Sequence, residues 1–142
     1  MKSASSPLLK TIGARLSAVF GSDVPFVVNP SPTRPLPYGV LGSDTETDAF
    51  STKNTDGSVI THTLRIYSNF DAKAREYASL AIDELTDRTR PLIFSDVSGT
   101  TFYSAGRVHL ELNEIIEDRD ERGDIYGAAI RFRFWIGQHN QP

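Results

Sequence analysis

The stretch "VITHTLRIYSNFDAKAREYASLAIDEL", residues 59–85, contains two hydrophobic periods in succession. In its first ten residues apolar and polar side chains alternate, with Ile60, Leu64 and Ile66 on one face. That alternation is the pattern of a half-buried strand. From Asp71 onward small and apolar residues recur at steps of three and four, as in a helix that buries one stripe. The segment therefore predicts a strand followed by a helix that packs on a sheet.

The flanking sequence supplies the other elements of the fold. An amphipathic helix is predicted over residues 7–20, since a Ser-Pro pair precedes its apolar stripe and a glycine follows it. Four further strands are predicted from apolar or alternating runs, at residues 24–28, 38–41, 107–116 and 128–136. Strands that are close in sequence usually pair. We therefore expect an α+β fold, a mostly antiparallel sheet of about four to five strands with two helices packed on one face.

Three segments lack a clear period and are predicted to connect these elements. They are a proline-rich connector at 29–37, a polar loop at 44–58 that closes on an Asp-Gly turn, and an acidic hairpin tip at 117–124. The length of 142 residues is typical of one domain. We expect residues 1–142 to form a single domain.

The bulk composition excludes several classes of function. The sequence has no cysteine, which removes disulfides, thiolate metal sites and cysteine nucleophiles and fits a reducing cytoplasm. No apolar run approaches the ~20 residues that span a bilayer, and the first residues lack a signal-peptide pattern. The formal charge of −3 does not indicate a strongly basic nucleic-acid-binding surface. No membrane partner is expected.

Asp44, Glu46 and Asp48 alternate with threonines and resemble the start of a calcium-binding loop. Such a loop needs glycine at its sixth position and glutamate at its twelfth. Counted from Asp44, those positions hold Ala49 and Thr55. A polar loop without a metal ion is therefore expected.

An enzymatic role has little support in the sequence. The serine-nucleophile elbow, the Walker A loop and the dinucleotide-binding glycine motif are all absent. No catalytic residue and no cofactor is predicted. His62 and His109 lie on predicted strands, and a pocket that joined them with a carboxylate would favour the alternative of a small cytosolic enzyme or ligand-binding module.

The sequence "RFRFW", residues 131–135, interleaves arginine with aromatic residues. It lacks the glycines of the RNA-binding motif that shares this composition. Strand alternation places Phe132 and Phe134 in the core and Arg131, Arg133 and Trp135 on the other face. Arginine and tryptophan are enriched in protein–protein interfaces, so this outer face is predicted to contact another protein.

Residues 36–85 also carry an ordered series of motifs. The series comprises Pro37-Tyr38, Gly42 with an acidic threonine-rich stretch, an aromatic-Ser-Thr-Lys segment at 50–53, Asp56-Gly57, a strand ending in Tyr67-Ser68, and an alanine-rich helix. In this order the motifs resemble the tail terminator, or tail completion, family of long-tailed bacteriophages and gene transfer agents. The chain departs from that pattern at Phe50, where the family often has tryptophan, and in its longer acidic hairpin tip.

The resemblance implies a non-enzymatic virion protein, assembled in the host cytoplasm and located in the neck region of the tail. Such proteins form a homohexameric ring that caps the head-proximal end of the tail tube and stops its growth. The ring joins the tail to the head connector or stopper protein and leaves a channel through which DNA passes without specific binding. Another neck or head-completion ring protein remains an alternative.

These expectations select two groups of residues, because loops on a rigid sheet commonly carry contacts. Contacts to a neighbouring subunit or to the tube are predicted for Asp44, Glu46, Asp48, Phe50, Lys53, Asp56, Arg131, Arg133 and Trp135. The acids of the hairpin tip are predicted to face the lumen or the connector, where negative charge would let DNA slide, and they are Glu117, Asp118, Asp120, Glu121 and Asp124.

Overall fold

The computed structural model describes residues 3–31, 34–51, 56–121 and 123–139. Within these residues there are two helices and six strands. In chain order they are α1 (Ser5–Phe20), β1 (Phe26–Val27), β2 (Tyr38–Ser51), β3 (Asp56–Ser68), α2 (Asp71–Leu85), β4 (Ile93–Ser95), β5 (Phe102–Asp120) and β6 (Gly123–His139).

The strands form one sheet in the order β1-β2-β3-β6-β5-β4. Every neighbouring pair is antiparallel except β1 and β2, which run parallel. The predicted α+β class is confirmed, but the sheet is mixed and has six strands rather than four to five. The strand that sequence reasoning missed is β4, which is too short to show a period and pairs only with the start of β5.

The core lies between the two helices and one face of the sheet. On β3 and β6 the register sets Ile60 opposite Phe134 and Leu64 opposite Ile130. These side chains are fully buried. The stripe of α2 is mostly alanine, which brings the helix close to the strands, and α1 contributes larger residues. The buried helix residues are Leu8, Ile12, Leu16, Phe20, Ala74, Ala78, Ala81 and Leu85.

The predicted polar loop at 44–58 is wrong, because β2 continues to Ser51 and β3 begins at Asp56. The register runs from Asp44 opposite His62 to Ser51 opposite Asp56. Threonine favours strands, and acidic residues are tolerated in a strand whose partners satisfy them. The polar segment can therefore belong to the sheet, because its carboxylates have such partners, among them the Ser58 hydroxyl.

The predicted hairpin between the last two strands is confirmed, but its long tip is wrong. β5 and β6 stay paired as far as Asp120 opposite Gly123, so most of the acids at 117–124 lie on strands. Arg119 forms a cross-strand ion pair with Asp124, with 3.0 Å between Nε and Oδ1. Opposite charges in facing positions favour strand pairing, which explains why a charged segment continues the ladder.

A bulge on β5 changes which residues share a face. Strict alternation over 107–116 would place Leu110 and Leu112 together, but the register shifts between them. Leu110 lies opposite the buried Phe132, whereas Leu112 lies opposite the exposed Arg131. The bulge therefore turns Leu112 to the face away from the helices.

Replacing Phe132 by alanine should lower the free energy of unfolding by about 3–5 kcal/mol, because the ring is fully buried and would leave a cavity. Urea denaturation followed by circular dichroism measures the change. Val97→Ala is the control, since Val97 is 99% exposed and the loss should stay within about 0.5 kcal/mol. Equal losses in the two variants would show that the core is placed wrongly.

Candidate assembly surfaces

The N-terminus of α1 is fixed to the sheet by a carboxylate from β2. The helix has no acidic residue in its first turn, and its N-cap, Ala4, has no side chain that accepts a hydrogen bond. Glu46 accepts hydrogen bonds from the Ala4 N–H at 3.0 Å, the Ser3 hydroxyl at 2.5 Å and the Ser58 hydroxyl at 3.1 Å. Free N–H groups and partial positive charge at a helix start favour a carboxylate there. Glu46 therefore supplies the negative charge that the helix lacks.

Asp44 reinforces this junction from the same strand. Its Oδ2 accepts a hydrogen bond from the Ser5 hydroxyl at 3.3 Å, and its Oδ1 lies 2.5 Å from Nδ1 of His62. His62 is fully buried, and the carboxylate only accepts, so Nδ1 carries the proton. The register shift at Gly42, which has a φ of 93°, turns Asp44 and Glu46 to the helix side. Both carboxylates are engaged inside the subunit, and their predicted contacts to a neighbouring subunit or to the tube stay predictions.

The geometry does not form the histidine pocket that would favour the enzyme alternative. His62 is buried on the helix side of β3, whereas His109 on β5 lies opposite the exposed Arg133. The two histidines therefore lie on opposite faces of the sheet and share no pocket. Ser5 donates to Asp44, and Nε2 of His62 has no hydrogen-bond partner among the described residues, so no serine–histidine pair forms there.

Two properties of the described part of the chain concern metal ions and membranes. No group of three or more histidine, cysteine, aspartate or glutamate residues is arranged to hold a metal ion within those residues. In the same residues, neither helix is long and apolar enough to cross a membrane.

Several predicted contact residues can be placed only in part. Asp48 and Phe50 belong to β2, opposite Ser58 and Gly57, and Asp56 begins β3. Lys53 lies outside the described residues, as do the side chains of Asp48, Phe50 and Asp120. Their predicted contacts remain predictions.

The sheet face that points away from the helices is rich in arginine. Alternation along β6 buries Phe132 and Phe134 and leaves Arg131 and Arg133 exposed, as the sequence predicts. The register adds two arginines that sequence reasoning did not select, although the same alternation marks them. Arg65 lies opposite Ala129, and Arg107 lies opposite Trp135. The arginine face is defined by Arg65, Arg107, Arg131, Arg133 and Trp135.

Only part of this positive charge is neutralised within the subunit. Trp135 lies between two guanidinium groups, with 5.0 Å from the Arg107 carbon and 5.8 Å from the Arg133 carbon to its ring centroid. Arg133 forms an ion pair with Glu111. Within the described residues, Arg65 and Arg131 form no ion pair with a carboxylate. The face therefore has positive charge available for a partner.

A groove of about 330 Å³ opens beside Arg65 on the same face. The rings of Tyr38 and Tyr67 pack along it with 5.3 Å between their centroids, and it is also lined by Ile116, Ile125 and the carboxylate residue Asp118. We call it the tyrosine groove. Burial raises the pKa of Tyr67, although Arg65 acts in the opposite direction, so the hydroxyl keeps its proton at neutral pH and can donate a hydrogen bond.

The far end of the β5–β6 hairpin, residues 117–124, is the acidic hairpin end. β3 accompanies β6 only as far as Ser68 opposite Tyr126, so β5 and β6 extend past it. The described side chains with a negative charge are exposed, and they are Glu117, Asp118, Glu121 and Asp124. The subunit thus has a positive sheet face and a negative projecting end.

Comparison with known proteins shows that the same fold occurs in another chain of known structure. No family model matches the chain, and no curated protein matches it. A chain in the solved structure described as the virion of a native gene transfer agent particle matches with a TM-score of 0.70 and 19% identity. The match covers 96% of this chain and 99% of that chain. At this identity the likeness shows a shared fold over the whole length.

Replacing Glu46 by alanine should lower the free energy of unfolding by about 1–3 kcal/mol, because the Ala4 N–H and the Ser58 hydroxyl lose their acceptor. Chemical denaturation measures the loss, and faster amide exchange in the first turn of α1 locates it. Glu76→Ala is the control, since Glu76 is exposed and pairs with Lys73 at the surface, and its effect should be under about 1 kcal/mol. If amide exchange in the first turn of α1 is as slow in the Glu46 variant as in the unaltered chain, Glu46 does not stabilise the helix start.

Proposed function

We propose that this chain is a structural virion protein, a tail terminator that caps the head-proximal end of a tail tube. The observation that carries the proposal is the fold likeness to a gene transfer agent virion chain over 96% of this chain. The motif series at 36–85, which resembles the terminator family, supports the same function independently. Its place is the neck region of the virion, after assembly in the host cytoplasm.

The proposed assembly is a homohexameric ring with a channel for DNA. A tube of stacked rings grows through contacts that do not close, so its length is set by a component that binds the end and offers no further site. The ring's partners are the tail tube protein on one side and the head connector or stopper protein on the other. DNA passes through the ring without specific binding.

A second candidate remains within the same structural class. The matching chain belongs to a virion particle, and that description fits a head-completion or other neck ring equally well. Only the position of the protein in an assembled particle separates the two. The alternative of a small enzyme or ligand-binding module would have been favoured by a pocket that joined His62, His109 and a carboxylate, and the two histidines lie on opposite faces of the sheet.

Purified protein added to growing tail tubes should bind one end of each tube and stop its elongation. Negative-stain microscopy measures the length distribution, which should narrow as the protein is added. Val97→Ala should cap as well as the unaltered chain, because Val97 is fully exposed and away from the arginine face. Tubes whose ends stay bare and whose lengths stay broad would contradict the terminator role, and binding to filled heads instead would favour head completion.

The purified protein, alone or on tube ends, should form a particle of six times the chain mass of 15.7 kDa. Native mass spectrometry measures the mass, and class averages of end-on views show the symmetry. A different number of subunits would show that the ring is not a hexamer. The capping role would then still be tested by the tube-length assay.

A further inference from the structure

The arginine face and the acidic hairpin end are oppositely charged surfaces, and within one subunit they meet where Asp118 lines the tyrosine groove beside Arg65. In the described residues, the ion pair of the hairpin end joins Arg119 to Asp124, and Glu117 and Glu121 form none. Arg131 is seven residues from Asp124 along β6, which is roughly 23 Å of extended strand. Arg131 is therefore too far from Asp124 to pair with it, and Arg131, Glu117 and Glu121 keep charges to which a partner can bind.

We propose that the arginine face and tyrosine groove of one subunit bind the acidic hairpin end of the next copy of this chain. The inference rests on the proposed ring and names the contact that builds it. Two different surfaces that meet in this way form a heterologous contact, which produces a closed ring when the rotation between copies is suitable. In this arrangement the hairpin acids contact a neighbour, which replaces the expectation that they face the lumen or the connector.

The chemistry of the face favours a protein partner over nucleic acid. Leu112 is 36% exposed and Ile116 is 48% exposed, and both lie on the arginine face side of β5. Burial of such aliphatic side chains stabilises a protein contact and adds nothing to phosphate binding. Arginine, tryptophan and tyrosine are also the residues that most often dominate the energy of protein interfaces.

The tyrosine groove offers a site where a carboxylate from the hairpin end would be satisfied. A buried ion pair is favourable only when hydrogen bonds satisfy the remaining oxygen atoms. Arg65 provides positive charge in the groove, the protonated hydroxyl of Tyr67 provides a neutral donor, and Asp118 of the same subunit lines the groove as well. Glu117 and Glu121 are exposed carboxylates on the projecting end and are the residues we assign to this contact.

Charge reversal on each surface tests the contact. Arg65→Glu with Arg131→Glu, and separately Glu117→Arg with Glu121→Arg, should each raise the dissociation constant of ring formation by at least about tenfold, since each places like charges together. An equimolar mixture of the two variants should restore the ring. In the restored ring the two variants alternate. The acidic face of the first variant meets the basic hairpin end of the second, and the unaltered arginine face of the second meets the unaltered acidic hairpin end of the first. Sedimentation velocity measures assembly, and circular dichroism checks folding.

The matched control is Lys10→Glu with Arg75→Glu, which makes the same change of charge at exposed positions on the two helices. It should assemble like the unaltered chain. If the first reversal unfolds the protein, Arg65→Gln with Arg131→Gln removes the same charges without adding acids, and weakened assembly is again expected.

Two results would overturn the inference, namely normal assembly of the arginine-face variant and a mixture that fails to recover. If the variant assembles normally but has lost a DNA-duplex binding that the unaltered ring shows, the arginine face is a nucleic-acid surface instead. In each case capping of tail tubes by the unaltered protein would still support the proposed function. Failure of the subunit contact is therefore distinguishable from failure of the terminator role.

Discussion

The pairing of β3 with β6 is the constraint on which the other features of the subunit depend. The ladder runs from Asp56 opposite Gln138 to Ser68 opposite Tyr126 and occupies the centre of the sheet. Because side chains alternate between the two faces, one register buries Phe132 and Phe134 under the helices and exposes Arg131 and Arg133. A slip of one residue would bury the arginines, which is prohibitively costly. The same register therefore fixes the core and the arginine face.

A second junction, between β2 and α1, explains why an acidic segment belongs to the sheet. The first turn of α1 has no acid of its own, and Asp44 and Glu46 supply the negative charge from the neighbouring strand. The register shift at Gly42 is what turns them to the helix side. The helix start and the strand are thus mutually dependent, since each satisfies polar groups that the other leaves open.

The parts of the fold that the sequence predicts are those where a local period is strong. Alternation at 59–68 and 128–136 predicts the strands, their faces and the outward position of Arg131, Arg133 and Trp135. The sequence predicts a loop at 44–58 because the partners of Glu46 at the helix start, Ser3 and Ala4, lie 43 and 42 residues away in the chain. The bulge beside Leu112 and the groove between Tyr38 and Tyr67 depend on register across strands, and no local pattern encodes that register.

The charge on the bare sheet face also bears on which assemblies the subunit avoids. An apolar bare face would favour two-fold pairing, in which the same surface of two copies meets face to face. On the arginine face such pairing would bring Arg65 and Arg131 of one copy near the arginines of the other, and like charges in contact are unfavourable. A neighbour that presents its acidic hairpin end meets no such repulsion. The same arginines thus disfavour a closed dimer and favour the head-to-tail contact that the proposed ring requires.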